Sequence, residues 1–463
     1  MLSLCDNSAR LCDGVPRRAF LRAGSLSALG LSLPRSLAAR QPPTRMKGAR
    51  AKKCIVLFLL GGPPQHSTWD PKPAAPKEIR GEFGPISTNV PGVQISELMP
   101  RTAGMMDKLA VLRAVVTGDS AHSSSGYYMM TGVPHIPKQR ENVNPGPPND
   151  WPTMGAVMQY LATGRRLLPP AVRLPMHIFN TDGSIWPGQD SGWLGHASDP
   201  WLFNCEPASP DFDVPQFRLS SDVSRQRMNA RRTLLEEIES RLRDVERDGQ
   251  IATYSDQQRQ AFDLLSTNRA RAAFDLKQES DATRDLYGRG QFGQSVLLSR
   301  RLVEAGVDFV QVNWFRGPDE PPANPCWDSH ADETNRLKDV LVPPLDQALT
   351  ALLTDLEERG QLEETVVAVL SEFGRTPRFN GRAGRDHWGH VFSIALAGGG
   401  IQGGIVHGVS DEQAAYPKQD AVAPEDVTAT VFHALGYSPH TAIYDVTDRA
   451  HPITRGEPIR ALL

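Results

Sequence analysis

The run Cys54-Ile55-Val56-Leu57-Phe58-Leu59-Leu60 is apolar throughout and stops at Gly61-Gly62-Pro63-Pro64. An unbroken apolar run of this length, rich in branched side chains and closed by glycine and proline, predicts a strand buried on both faces, with the next loop at the carboxyl edge of a parallel sheet. The same pattern recurs at Leu109–Val116, His177–Asn180, Val307–Val312, Val366–Leu370 and Phe392–Ala397. Helical spacing of apolar residues lies between several of these runs, most clearly at Leu341–Arg359. Strand and helix therefore alternate, which predicts an α/β fold, a parallel-sheet α/β sandwich, in one main domain over residues 50–455. The pattern changes between about 218 and 290, where Arg, Glu, Asp and Gln dominate around apolar residues at helical spacing, as in TLLEEIESRLRDVERD. That stretch reads as a charged helical insertion with a solvated face.

Composition narrows the classes. A chain of 463 residues with 40% hydrophobic residues has enough apolar surface for a sizeable core, which excludes a disordered chain. Lys+Arg 50 against Asp+Glu 53 gives a net charge of −3 with no dominant basic stretch, so nucleic acid is not an expected partner. The beginning of the chain has its own pattern: Pro16-Arg17-Arg18-Ala19-Phe20-Leu21-Arg22, the weakly apolar AGSLSALGLSLP, then Ser36-Leu37-Ala38-Ala39. Twin arginines, a short apolar stretch and small residues at its end predict a twin-arginine signal peptide over residues 1–39. The apolar part is too short to span a bilayer, so the expectation is a periplasmic or extracellular protein with no transmembrane span in the mature chain. Twin-arginine export carries folded cargo, often with a metal already loaded. Cys54, Cys205 and Cys326 lie beyond the leader, too far apart for a disulfide framework and without a CxxC pair for structural zinc.

Histidines and carboxylates gather behind the strand-like runs in four places. His66 and Asp70 follow the first run, and Asp119-Ser120-Ala121-His122-Ser123 follows Leu109–Val116. Asp328 and His330 come after Val307–Val312; Glu372 and Arg375 come directly after Val366–Leu370, with Arg385-Asp386-His387-Trp388-Gly389-His390 close behind. A parallel sheet delivers all of these to one crevice at its carboxyl edge. Imidazoles with carboxylates suit a divalent cation such as Zn, Mn or Ca, and the candidate ligands are His66, Asp70, Asp328, His330, Glu372, Asp386, His387 and His390. For His66 and Asp70 the alternative is hydrogen bonding within their own loop, and for Glu372 it is an ion pair with Arg375 or Arg385. A guanidinium fork matches the oxygens of an anionic ester, which makes Arg375 a candidate catalytic residue and Arg385 a candidate substrate contact; pairing with Glu372 and Asp386 is the alternative. Ser120 and His122 are candidates to act on a substrate, or else simply turn residues.

The segments LFLLGGPPQHSTWDPKP, HSSSGYYMMTG, WDSH, LDQALTALLTDLEERG, SEFGRTP, GRDHWGH and AGGGIQGG resemble the secreted, twin-arginine-exported family called domain of unknown function 1501, over about residues 50 to 440. That family is similar to the alkaline phosphatase and arylsulfatase superfamily. The resemblance implies a parallel-sheet sandwich with one or two metals at the carboxyl edge. The superfamily's strand ending in an Asp-His pair resembles the strand leading to Glu372, with Phe373 in the His position. Its later His resembles His387 or His390, and its middle Asp and His resemble Asp328 and His330. Its nucleophile segment resembles Asp119-Ser120-Ala121 leading to Thr131-Gly132, with His122 or Ser123 as other occupants of that position. Two departures matter. Gly61-Gly62 stands where the superfamily places an Asp, and Cys205-Glu206-Pro207-Ala208-Ser209 lacks the Arg of a formylglycine sulfatase motif. The expected activity is that of an exported metal-dependent hydrolase of phosphate or sulfate esters, with an anionic ester or a sulfated or phosphorylated glycan as its partner. The alternative is a non-catalytic exported binding protein of the same fold, recognising an anionic glycan or an envelope protein. The missing first-strand Asp speaks for it, and Trp186, Trp193 and Trp201 offer rings for stacking on a sugar.

Overall fold

The computed structural model describes residues 43–212 apart from Arg165, short pieces between 226 and 234, residues 268–315 and residues 325–463. The predicted signal peptide and most of the predicted charged insertion lie outside the described residues. The first apolar run forms β1 (Lys53–Phe58), in which every residue after Lys53 is buried. It is the centre of an eight-stranded sheet with β2 (Leu109–Val115), β3 (Ala171–Leu174), β4 (Trp201–Leu202), β5 (Phe309–Asn313) and β6 (Thr365–Leu370). After a small pair, β7 (Gly374–Arg375) and β8 (His387–Trp388), come β9 (Phe392–Ala397) and β10 (Ile405–His407). The spatial order is β10-β2-β9-β6-β1-β5-β3-β4. β1 pairs in parallel with β5 and β6, placing Ile55 beside Val310 and Val367. Only β9 runs against its neighbours, antiparallel to both β2 and β6. The molecule is thus an α/β protein with a large, mostly parallel central sheet.

Strands whose successive residues are all buried need cover on both faces. Helices α1 (His122–Thr131), α2 (Met154–Leu161), α3 (Asn268–Phe274), α4 (Asp281–Tyr287), α5 (Gln291–Glu304), α6 (Val342–Glu358) and α7 (Pro424–Ala434) supply it. α5 and α6 pack together, and α5 also lies on β1 and β5; α7 packs on α1. The helix expected at Leu341–Arg359 is α6, which continues directly from a π-helical turn at Leu337–Leu341, and its prolines Pro343 and Pro344 fall just after that wider turn.

Two expectations change. His177–Asn180 is not a strand; the strand is β3, a few residues earlier, and it ends at the Leu174-Pro175 bond. The run was hidden by Arg173, a fully buried charge satisfied by Asp190 at 3.3 Å and by the His177 ring at 2.9 Å. The described end of the charged insertion, residues 268–290, is also no mere surface cap, since Ala270, Phe274, Leu276 and Tyr287 join the main core.

Candidate metal centre

The parallel arrangement brings the ends of β1, β2, β5 and β6 to one edge, and the reversed β9 begins at that edge, so the residues just before it arrive there too. α1 opens with His122 as its first residue, and β6 runs into Ser371-Glu372. Glu372 is fully buried. Its Oε1 accepts the Gly61 N–H at 2.8 Å and meets His122 Nδ1 at 2.7 Å, while its Oε2 accepts the Ser371 hydroxyl at 3.0 Å. Ser125, on α1, donates to the Glu372 carbonyl at 2.6 Å and ties helix to strand.

All three imidazoles of the cluster are held the same way. His122 Nδ1 faces Glu372, His330 Nδ1 faces Asp386 Oδ1 at 2.9 Å, and His387 Nδ1 faces the Ser120 carbonyl at 2.9 Å. A carbonyl oxygen only accepts, so His387 Nδ1 carries a proton and Nε2 presents its lone pair. All three Nε2 atoms converge on the Asp328 carboxylate: His122 at 3.3 Å from Oδ2, His330 and His387 each at 3.0 Å from Oδ1. The Nε2 atoms of His330 and His387 are 2.9 Å apart. With Nδ1 protonated in both rings, two nitrogen lone pairs and a carboxylate oxygen face one another at hydrogen-bond distance. They repel unless a proton or a cation lies among them. The donor atoms of His122, Asp328 and His387 all fall within 4.8 Å of one another, and the oxygen partners behind each Nδ1 are the usual outer support of metal-ligating histidines. The residues present therefore fit a divalent cation.

The electrostatics agree. Burial alone would lower the pKa of His122, but Asp328 and Glu372 push it up to about 10. His387 goes the other way, to about 4, through burial and the neighbouring charge on His122. Burial would raise Asp328, yet Arg375 and His122 hold it well below the usual carboxylate range. The cluster thus keeps a proton where positive charge is needed.

The other predicted residues are placed as follows. Arg375 is fully buried, donating through Nε to the Gly62 carbonyl at 2.9 Å, through Nη1 to the Arg385 carbonyl at 3.0 Å, and through Nη2 to the Gly61 and Trp327 carbonyls and to Asp328 Oδ1 at 2.6 Å. Arg385 is also fully buried, on Glu333 at 2.9 Å and on the carbonyls of Ile79, Thr376 and Pro377. Ser120 Oγ accepts the Gly389 N–H at 3.0 Å, so this serine holds the loop that carries His387. His66 sits apart, its Nε2 donating to the Gln413 carbonyl at 2.8 Å, and Asp70 pairs with Lys72 at 3.0 Å and with Ser410. His390 meets Trp388 edge to face and Tyr416 at a tilt rather than joining the cluster. Of the candidate ligands, Asp328, His330 and His387 come together with His122, while Glu372 and Asp386 stand one layer behind.

One contributor has no signal in the sequence. Glu141 is a single acid in a polar loop, yet its Oε1 accepts the His122 N–H at 2.7 Å and it lines a cleft of about 30 Å³ beside His122 and Asp328, room for an ion or one or two waters. The glycine in place of the superfamily's Asp also has a local cause. Gly61 has φ +114°, and a Cβ there would lie 2.4 Å from the Asp328 backbone nitrogen. The backbone that delivers Asp328 occupies the space a side chain at 61 would need.

Sheet and cluster together define the class: a mostly parallel α/β protein with a candidate His/Asp cation site at the carboxyl edge. The chain belongs to the family described as "Protein of unknown function (DUF1501)", which it matches over residues 51–463. No curated protein matches it. Among solved structures it is similar to a sulfatase from Pseudoalteromonas sp., with 13% identity, 84% of this chain and 68% of that chain covered, and a TM-score of 0.37. It is also similar to a protein in the alkaline phosphatase superfamily from Vibrio parahaemolyticus, with 11% identity, 84% and 67% covered, and a TM-score of 0.37. A phosphonate monoester hydrolase from Silicibacter pomeroyi is similar at 9% identity, 88% and 76% covered, and a TM-score of 0.36. No helix among the described residues is long and apolar enough to cross a membrane.

Proposed function

We propose that this protein is a metal-dependent hydrolase of phosphate or sulfate esters, exported under the direction of its twin-arginine leader. The observation that carries the reading is the convergence of three imidazole Nε2 atoms on the Asp328 carboxylate beside an open cleft. A divalent cation held by His122, His330, His387 and Asp328 would supply Lewis-acid polarisation of an ester oxygen and make a nearby water more acidic. Glu372, Asp386 and the Ser120 carbonyl fix the three rings in the tautomer that presents Nε2. Arg375 orients Asp328 from behind and does not reach the cleft. The hydroxyl in the described cleft wall, on Thr181, donates to Asn142, and Ser120 is not among the described residues lining the cleft, so attack falls to water. The water oxygen bonds to sulfur or phosphorus and gives up a proton, the bond to the alcohol oxygen breaks, and the departing alkoxide takes up that proton's equivalent, leaving an alcohol and the acid anion.

The test is elemental analysis of the purified protein beside Asp328→Asn and His387→Ala, followed by a screen of ester hydrolysis. One divalent ion per chain in the wild type, lost in both variants together with ester turnover, is the expected result. Bound metal without turnover of any ester would favour the non-catalytic glycan- or partner-binding reading, which the burial of Arg375 and Arg385 also favours. Absence of metal uptake would end the hydrolase reading.

A further inference from the structure

The charges around the centre are one-sided. Asp328 lies in it, Glu372 and Asp386 stand directly behind His122 and His330, and Glu141 borders the cleft with its carboxylate on the His122 N–H. Glu141 keeps 44% of its side chain exposed, so its charge faces the approach to the site. Against these four carboxylates stand the His122 ring, already paired with Asp328 and Glu372, and Arg375, whose N–H groups point into backbone carbonyls and Asp328 and whose side chain is inaccessible. Arg385 is likewise enclosed, on Glu333 and three carbonyls. The described residues lining the cleft include neither lysine nor arginine; its wall is made by Asn142, Asn180, Thr181, Phe179 and Trp186 along with Glu141. Beyond the His122 ring, which the proposed cation would claim as a ligand, the oxygens of an incoming ester therefore meet amides, a hydroxyl and aromatic rings, and among the described residues no lysine or arginine to balance them.

Resting on the hydrolase reading, we propose that the centre selects esters that carry a single negative charge, namely sulfate monoesters, phosphodiesters or phosphonate monoesters, and discriminates against phosphate monoesters. A phosphate monoester has its second ionisation near pH 6 and is mostly a dianion at neutral pH. Its additional charge is placed among the carboxylates of Glu141, Glu372 and Asp386 in a partly desolvated site, where like charges interact more strongly than in water.

The experiment uses the full chain loaded with Zn²⁺ or Mn²⁺. Initial rates at pH 8 are compared for 4-nitrophenyl sulfate, bis(4-nitrophenyl) phosphate and 4-nitrophenyl phosphate, and calorimetry compares binding of dimethyl phosphate with that of methyl phosphate. The expected result is that kcat/KM of the better singly charged ester exceeds that of the phosphate monoester by about tenfold or more, and that dimethyl phosphate binds more tightly than methyl phosphate. In Glu141→Gln the discrimination shrinks severalfold while metal content stays at the wild-type level. A preference for the phosphate monoester, or equal kcat/KM for both charge types, overturns the proposal and leaves the hydrolase reading standing. If metal is bound and no ester turns over, the hydrolase reading falls and the two methyl esters alone decide the charge preference. Tighter binding of methyl phosphate, or binding of neither, then overturns the proposal.

Discussion

His66 shows how a residue that looks like a ligand becomes a packing residue with a pH signature. It is buried, and that burial, with the charge of Arg385 second, holds its pKa well below 6.5. The unfolded chain takes up a proton at this site as pH falls through 6.5 and the native chain does not, so the stability it supports is complete above pH 6.5 and drains away below it. The urea midpoint should fall between pH 7.5 and pH 5.5, by up to about 1.4 kcal/mol of stability per pH unit below 6.5 from this residue, and His66→Gln should flatten that part of the profile. A wild-type profile no steeper than the variant's would contradict this. Glu372 makes the opposite case: a carboxylate called as a ligand that touches only the back of one. Glu372→Gln should weaken metal affinity by about 10- to 100-fold without abolishing it, read by competition with a chromogenic chelator. Asp328→Asn should abolish uptake altogether. Spacing in the sequence brought Asp328, His330 and His387 to one edge but did not separate them from His66, Asp70 and His390, because which oxygen faces Nδ1 and which nitrogen faces the cleft depends on ring orientation, not on spacing.

At the scale of elements, the apolar runs located β1, β2, β5, β6 and β9 to within a residue or two, because a strand covered on both faces needs an unbroken hydrophobic string. β3 escaped because Arg173 interrupts its string, and β4 and β10 because they are short and only partly buried. The pair β7–β8 was not legible either. It sets His387 opposite Arg375, so the strand that positions a candidate ligand also positions the guanidinium behind Asp328. Arg375→Lys should destabilise the protein by about 3–5 kcal/mol, since an ammonium cannot reach the carbonyls of Gly62, Trp327 and Arg385 together and leaves Asp328 underpaired. Gly61→Ala, at φ +114° with backbone 2.4 Å from the new Cβ, should cost about 2–4 kcal/mol and disturb the Asp328 turn. Both are read as shifts in denaturant midpoint at constant slope.

For the whole molecule, the described residues between Arg45 and Leu463 form one compact unit, and the cluster draws its donors from loops behind different parts of the sheet. A cation bound to the native arrangement alone raises stability by mass action, about 2.7 kcal/mol when its free concentration is one hundred times its dissociation constant. Thermal unfolding should therefore move upward with added Zn²⁺ or Mn²⁺ and return with EDTA, and Asp328→Asn should show neither shift. An unchanged melting temperature in the wild type would argue against a cation at this cluster.

The reversed strand β9 gives this arrangement a further property. Because β9 begins at the edge where the parallel strands finish, His387 stands next to His122 although most of the domain lies between them along the chain. Cys54, Cys205 and Cys326 are all unbridged, so among the described residues no covalent link closes that long loop. A cation held between the two histidines would act as a removable cross-link across most of the domain, of the kind whose loop-closure entropy grows with the length enclosed. The loaded protein should then resist protease and unfold more slowly, and chelation should remove that protection while leaving the fold in place.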